Sequence, residues 1–304
     1  MTTGDRGDPG SPALFFLSDY GTVDEFVGVV HAVLHRLAPG VPVIDLSHRI
    51  PHFDIASGSA MLVRCAPHLG SGVVLAVVDP GVGSGRRGLA VETGGSPGAR
   101  PRWLVGPDNG LLADAAVELG GAVRAVSLSA RRSTFDGRDV FAPAGAHLVM
   151  GGDPAILGID IDPGSLEVVS ARHVGAGPAV EDGPEGPQLV VAVRWVDGFG
   201  NVQLDLGPDR LDEFGLRAGD IAQVSVSTHP DLRVPARRVR AFSQLGKGEL
   251  GLLVDANGRI ALVADRASAA DRLAVTATEP GAGPVVRIAR SVPSGRRLER
   301  PVES

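Results

Sequence analysis

The feature that most restricts the fold of this chain is a change of rhythm past its midpoint. Before that point, short apolar runs alternate with longer stretches of helical period. Residues 13–17 (ALFFL) read as a buried strand, and residues 24–37 as a helix with Val27, Val30, Leu34 and Leu37 on one stripe. Residues 41–46 read as a strand, 55–69 as a helix and 72–78 as a β-rich run. Strands at 89–92 and 103–105 follow, then helices at 111–119 and near 140–150. This alternation predicts an α/β domain with a mostly parallel central sheet. The Gly, Pro and acid-rich stretch 175–187 reads as a linker. Beyond it, residues 189–195, 221–226, 234–241, 251–255, 260–263 and 273–278 read as closely spaced strands, with Asn257-Gly258 as a turn signal. They predict a smaller all-β, barrel-like C-terminal domain. The expected organisation is a disordered N-terminus (1–12), the α/β domain (13–174), the linker (175–187), the barrel-like domain (188–280) and a tail (281–304).

Composition narrows the function classes. A chain of 304 residues, 43% hydrophobic, can bury one large core or two modest ones. Its 29 basic and 35 acidic residues are well mixed and only 4% of its residues are aromatic, which argues against a nucleic-acid partner. The first dozen residues hold no apolar run, so no signal peptide is expected, and no stretch is long and apolar enough for a membrane span. The single cysteine, Cys65, excludes an intrachain disulfide and fits a reducing compartment; the expected location is cytoplasmic.

The polar residues gather where strands end. The first strand runs into Ser18-Asp19-Tyr20-Gly21, the second into Asp45-Leu46-Ser47-His48. The third runs into Asp79-Pro80-Gly81-Val82-Gly83-Ser84-Gly85-Arg86-Arg87, and residues 103–105 into Gly106-Pro107-Asp108-Asn109-Gly110. In open α/β sheets ligands sit outside the carboxyl ends of the strands. Four such ends in one domain point to a polar pocket, although each acid alone also suits turn or helix-cap chemistry. Other motifs fail. Residues 81–86 lack the last glycine of a dinucleotide fingerprint, and neither a phosphate-binding P-loop nor a GxSxG elbow occurs. His31 and His35 have helical metal-ligand spacing, but Ala32 stands where a zinc protease has Glu, so packed or solvated histidines are expected. The same holds for His48 and His52, and no metal or cofactor is expected.

The segments FFLSDYGTVDEFVG, VIDLSH, VVDPGVGSGRR, VGPDNGLL, STFDGRDVFAPAGAHL and WVDGFGNVQLDL occur in that order. Together they resemble the S-adenosylmethionine hydrolase (hydroxide adenosyltransferase) family, to which the fluorinases and chlorinases are related. The resemblance spans roughly residues 14 to 270. It implies hydrolysis of S-adenosylmethionine to adenosine and methionine. It also implies a homotrimer, with substrate held between the N-terminal domain of one subunit and the C-terminal domain of the next. A water-activating trio of Asp, Arg and His is implied: the Asp falls on Asp79 and the Arg on Arg86, but Asp136 stands where the family has His. Substrate contacts carry over to Asp19 on the ribose hydroxyls, Phe53 over the sugar and Asp197 on the methionine ammonium. Phe199 and Phe242 would pack on the adenine, and Asn201 would bond its edge.

These groups suit the reaction. The leaving group is a neutral thioether, so the difficulty lies in the nucleophile, since bulk water has a pKa near 15.7. A positioned base contributes about 10²–10⁴ in rate. An arginine beside Asp79 weakens that carboxylate as a base, and Asp136 pushes the other way. The alternative for Asp136 is a helix cap or a pair with Arg138. Two other functions stay open at this point. A halogenase is disfavoured because a carboxylate at Asp79 repels a halide and because residues 93–102 are too short for the extra fluorinase loop. A non-catalytic binder of adenosine ligands has only the missing His in its favour.

Overall fold

The computed structural model describes residues 11–95, 102–129, 133–169, 177–184, 186–275 and 284–290. The chain divides into two compact units, the first ending at Ser170 and the second beginning at Ala171. Among the described residues no helix is long and apolar enough to cross a membrane.

The first unit is built on β1 (Ala13–Ser18), β2 (Val43–Ser47), β3 (Gly72–Val77), β4 (Gly88–Thr93), β5 (Trp103–Pro107), β6 (Ala122–Leu128) and β7 (Gly158–Ile161). They form one sheet in the order β2-β1-β3-β5-β4-β6-β7. Neighbours β2, β1, β3 and β5 are parallel, while β4, β6 and β7 each pair antiparallel with their neighbours. Since β6 thereby regains the common direction, five strands of seven point one way and the sheet is mostly parallel. Strand β1 is apolar at successive positions because both its faces are covered. Leu14 and Phe16 face the core under helices α1 (Phe26–Leu37) and α4 (Ala142–Val149), while Phe15 and Leu17 face the core under α2 (Ile55–Cys65) and α3 (Ala113–Glu118). Helix α2 starts on Asp54, whose side chain accepts the Ser57 N–H at 3.0 Å, a cap worth about 0.5–2 kcal/mol. It stops at Cys65 and tightens into a 3₁₀ turn, because Pro67 supplies no N–H to continue the α ladder.

Chain order and sheet order together place the site. The chain leaves β1 for β2 on one side and returns to β3 on the other, so the switch point of the sheet lies between the ends of β1 and β3. Asp19 and Asp79 follow those two ends. Antiparallel β4 begins at the edge where β5 finishes, with Gly88 opposite Pro107, so Arg86 and Arg87 turn back onto the same edge. Strand β6 also ends there, with Ser127 opposite Leu89, and its following loop leads to Asp136.

The second unit comprises β8 (Ala179–Gly183), β9 (Gly186–Val196), β10 (Val202–Leu204), β11 (Ile221–Val226), β12 (His229–Arg238), β13 (Leu250–Val254), β14 (Ile260–Ala264) and β15 (Val285–Arg290), with short helices α5 (Pro208–Glu213) and α6 (Ala269–Arg272). The order β10-β14-β13-β12-β11-β15-β9 closes into a seven-stranded barrel through the β9–β10 pairing, and β8 adds to β9 from outside. Its interior is filled by Leu189, Val191, Val224, Leu252, Leu262, Val286 and Ile288 among others.

Three expectations need correction. The stretch expected as a linker carries β8, whose Val180 is exposed and which is joined through backbone pairing to β9; a strand without a buried face leaves no apolar alternation to read. The segment beginning at Leu273 is not a strand: Ala269–Arg272 is helical, Leu273 caps it, and residues 276–278 lie outside the described residues. The stretch expected as a tail contains β15, which lies between β11 and β9. Its alternation is only Val286 and Ile288 inward, short enough to be hidden by the surrounding Arg and Pro. Ile288→Ala should therefore cost about 2–5 kcal/mol, while Val180→Ala on the exposed face of β8 should stay within about 0.5 kcal/mol. Calorimetric unfolding of both variants checks this, and an unperturbed Ile288→Ala protein would contradict the barrel closure.

Candidate active site

At the carboxyl edge of the first sheet, one guanidinium holds two carboxylates. Arg86 donates from Nε to Asp79 Oδ1 at 2.8 Å and from Nη2 to Asp79 Oδ2, a bidentate grip. The same Nη2 reaches Asp136 Oδ2 at 2.5 Å. All three side chains are largely buried, with 13%, 6% and 9% exposure for Arg86, Asp79 and Asp136. Burial alone would lower the Arg86 pKa, but the hydrogen bonds and charges of Asp79 and Asp136 raise it, so the cation is fixed. Arg86 can fold back because residues 79–86 make successive turns, with Ser84 N–H on Gly81 C=O at 3.0 Å and Gly83 at a φ of 76°. A side chain at Gly81 would lie 3.3 Å from the Arg86 stem. The guanidinium also lies over the Phe141 ring, 5.2 Å from its centroid.

The second arginine of the pair has a different task. Arg87 donates from Nε to buried Asp108 at 2.7 Å and from Nη2 to the Ser165 carbonyl at 2.7 Å, while Asp108 also accepts the Glu167 N–H. Asn109 spans the β3 end by donating to the Val78 carbonyl at 2.9 Å. These contacts hold the edge in shape around Asp79.

Asp136 is neither a helix cap nor a partner of Arg138. Its side chain makes no capping bond to the π turn Gly137–Phe141, and Arg138 pairs with Asp139 at 2.7 and 2.8 Å. One Asp136 oxygen takes Arg86, and the other has no partner among the described residues. Both Asp79 oxygens, in contrast, are engaged by Arg86. Gly137 is required next to it because a Cβ there would collide with the Tyr20 hydroxyl.

Tyr20 is the residue that sequence reasoning missed. Its ring packs edge-on to Phe135 at 5.5 Å and its hydroxyl lies against Gly137. Burial, reinforced by the charges of Asp19, Asp79 and Asp136, pushes its phenol above the ordinary range, so it remains a hydrogen-bond donor. It is the chain's one tyrosine, standing within SDYGT, and that singularity was the available signal.

Asp19 and Phe53 are brought together. Asp19 Oδ2 accepts the Phe53 N–H at 2.9 Å. Phe53 holds a left-handed φ of 66° and leaves its ring 65% exposed, an arrangement that presents an aromatic face instead of burying it. Burial raises the Asp19 pKa, the Phe53 N–H pulls it back, and the Asp79 charge adds to the rise.

In the second unit the β9–β10 loop closes on Asp197. Its Oδ1 accepts the N–H of Phe199 at 2.8 Å and of Asn201 at 2.9 Å, and its Oδ2 accepts the Asn201 side-chain amide at 2.8 Å. Phe199 is thereby held 84% exposed, and Gly200 has no room for a Cβ against Ser268. Phe242 lies on a separate turn between β12 and β13 and is 44% exposed.

Comparisons with known proteins agree with this architecture. Residues 14–158 match the family profile described as the SAM hydroxide adenosyltransferase N-terminal domain, and residues 191–280 match its C-terminal domain. The chain belongs to the SAM hydroxide adenosyltransferase family. It is 39% identical over 275 residues to the (R)-S-adenosyl-L-methionine hydrolase of Salinispora tropica, covering 88% of this chain and 95% of that one. It is 24% identical over 285 residues to a fluorinase of Actinopolyspora mzabensis, covering 85% and 92% of the two chains. A solved structure of an uncharacterized conserved protein from Thermotoga maritima superposes with a TM-score of 0.75 at 29% identity, covering 91% of this chain and all of that one.

The raised Asp19 pKa carries a stability consequence. A carboxyl whose folded pKa exceeds its unfolded value stabilises the fold at low pH and loses that contribution as pH rises through the folded pKa. At neutral pH the ionised Asp19 is therefore a burden. Asp19→Asn should raise the melting temperature at pH 7, and the gain should shrink as pH falls toward the ordinary aspartate pKa of about 3.9. Thermal unfolding across that range checks the sign, and a variant less stable at pH 7 would refute it.

Proposed function

We propose that this chain is a hydrolase of S-adenosylmethionine, releasing adenosine and methionine by attack of water on the 5′ carbon of the ribose. The observation that carries the reading is the sharing of one buried guanidinium between Asp79 and Asp136, at the sheet edge that also bears Asp19. Three carboxylates against one guanidinium favour a sulfonium cation and oppose a halide ion. The higher identity to the hydrolase than to the fluorinase supports the same choice.

In this proposal Asp79 anchors Arg86, and Arg86 directs a donor toward the water and stabilises developing hydroxide. The unpaired oxygen of Asp136 accepts the proton, the task the family His would perform. Asp19 takes the ribose hydroxyls, and Phe53 covers the sugar. Asp197 offers its one remaining lone pair, on Oδ2, to the methionine ammonium. Phe199 and Phe242 pack on the adenine. Asn201, with one amide hydrogen committed to Asp197, keeps its oxygen and second hydrogen for the adenine edge. No cofactor is invoked. We further propose a homotrimer that completes each site across a subunit boundary. The chemistry has a soluble small-molecule substrate and fits the cytoplasm, with no nucleic-acid or membrane partner.

Purified protein incubated with S-adenosylmethionine should yield adenosine and methionine, and added chloride or fluoride should give no halogenated nucleoside. A halogenated product would overturn the assignment. Asp136→Asn should lower turnover by about 10-fold or more with little change in melting temperature, whereas unchanged turnover would remove Asp136 from the water-activating set. Light scattering should give a trimer, and full activity in a monomer would refute the shared site.

A further inference from the structure

A second cluster lies at the ends of β1 and β2, outside the groups assigned above. His31 on α1, Asp45 on β2 and His48 just after β2 point their donor atoms at one another, all within 4.8 Å. His31 Nε2 lies 2.8 Å from Asp45 Oδ1. His48 Nε2 lies 3.1 Å from the same oxygen, at ion-pair distance, yet no hydrogen bond satisfies it. His48 is only 6% exposed, so this is a buried imidazole nitrogen aimed into the cluster and left without a hydrogen-bond partner.

We propose that His31, Asp45 and His48 form a binding site for one divalent transition-metal ion of the zinc class. The three protein ligands would be two imidazole Nε2 atoms and one carboxylate oxygen. Zinc bonds of about 2.0–2.2 Å in tetrahedral geometry separate ligand atoms by about 3.3 Å, against 2.8 and 3.1 Å between Asp45 Oδ1 and the two imidazole nitrogens. The second nitrogen of His48 is held as such ligands are: Nδ1 lies 2.7 Å from Ser18 Oγ, which also accepts the Tyr20 N–H. In the tautomer whose Nδ1–H donates to Ser18 Oγ, a lone pair on Nε2 faces a carboxylate lone pair, and a cation between them removes the repulsion. Phe16 buttresses both rings, 4.6 Å from His48 and 6.0 Å from His31 between centroids. Asp45 and His31 are 42% and 35% exposed, which leaves an entry path and room for water as the fourth ligand. Two nitrogens and one oxygen suit Zn²⁺, Co²⁺ or Ni²⁺ and disfavour Mg²⁺ and Ca²⁺, which require oxygen shells.

The ion would brace and not react. Ser18 precedes Asp19, and the His48 carbonyl accepts the Gly21 N–H at 2.7 Å, so the site clamps the root of the loop that presents Asp19. This assignment stands independently of the hydrolase reading. The full-length, untagged protein, stripped with a chelator, should bind one Co²⁺ per chain with the intense visible band of a four-coordinate ion. Zn²⁺ should displace it and raise the melting temperature, and Mg²⁺ should do neither. His31→Ala should weaken Zn²⁺ binding by at least about 10-fold and abolish the thermal shift. Asp45→Asn provides a second, exposed ligand change if packing around His31 is disturbed. Equal Zn²⁺ affinity in the wild type and both variants, or no stoichiometric binding, would overturn the site and leave a proton-bridged His48–Asp45 pair.

Discussion

Arg86 holds together what would otherwise repel. Asp79 and Asp136 come from loops far apart in sequence and meet in a largely buried place. The guanidinium between them offsets their mutual repulsion, and breaking such a buried arrangement costs about 3–5 kcal/mol. The guanidinium fork engages Asp79 on both oxygens and Asp136 on one, so among these two acids only one Asp136 oxygen is left without a protein partner among the described residues. The rest of the edge serves this arrangement. Arg87 and Asp108 fasten the neighbouring loop, Gly81 lets Arg86 double back, and Gly137 makes room for the Tyr20 hydroxyl.

The exposed aromatics, one in each unit, follow a different logic. Phe53 and Phe199 are large aromatics left in solvent, each positioned by a backbone N–H bound to a carboxylate, Asp19 and Asp197 respectively. A protein gains nothing in stability by exposing such rings, and in the proposed reaction they would cover the substrate. Each of these acids fixes the backbone of its own loop, and in the proposed reaction each would also face the substrate. The burial that raises the Asp19 pKa shows that this readiness is held against the stability of the fold.

Much of the fold was legible because strands buried on both faces have to be continuously apolar. The runs that became β1 and β3 could hardly be anything else. Strands with less to bury were harder to read. Strand β8 buries no side chain of its own, and β15 buries only Val286 and Ile288 within an Arg- and Pro-rich stretch. The grouping of the histidines was hidden for a related reason. His31 and His35 satisfy a local spacing, whereas the structure joins His31 to Asp45 and His48 across a helix, a strand and a loop.

By itself the sequence determined the residue types at each strand end, the two-domain order and the family to which the chain belongs. Those properties are carried by local pattern and by ordered motifs, which survive without coordinates. Only the tertiary structure decided how charges are shared: that Arg87 goes to Asp108, that Asp136 neither caps a helix nor pairs with Arg138, and that the Tyr20 hydroxyl lies against Gly137 beside Asp136. Such choices depend on distances of a few Å between segments far apart in the chain, 50 residues in the case of Arg86 and Asp136. Electrostatic and hydrogen-bond energies fall steeply over that range, and no local period in the chain encodes them.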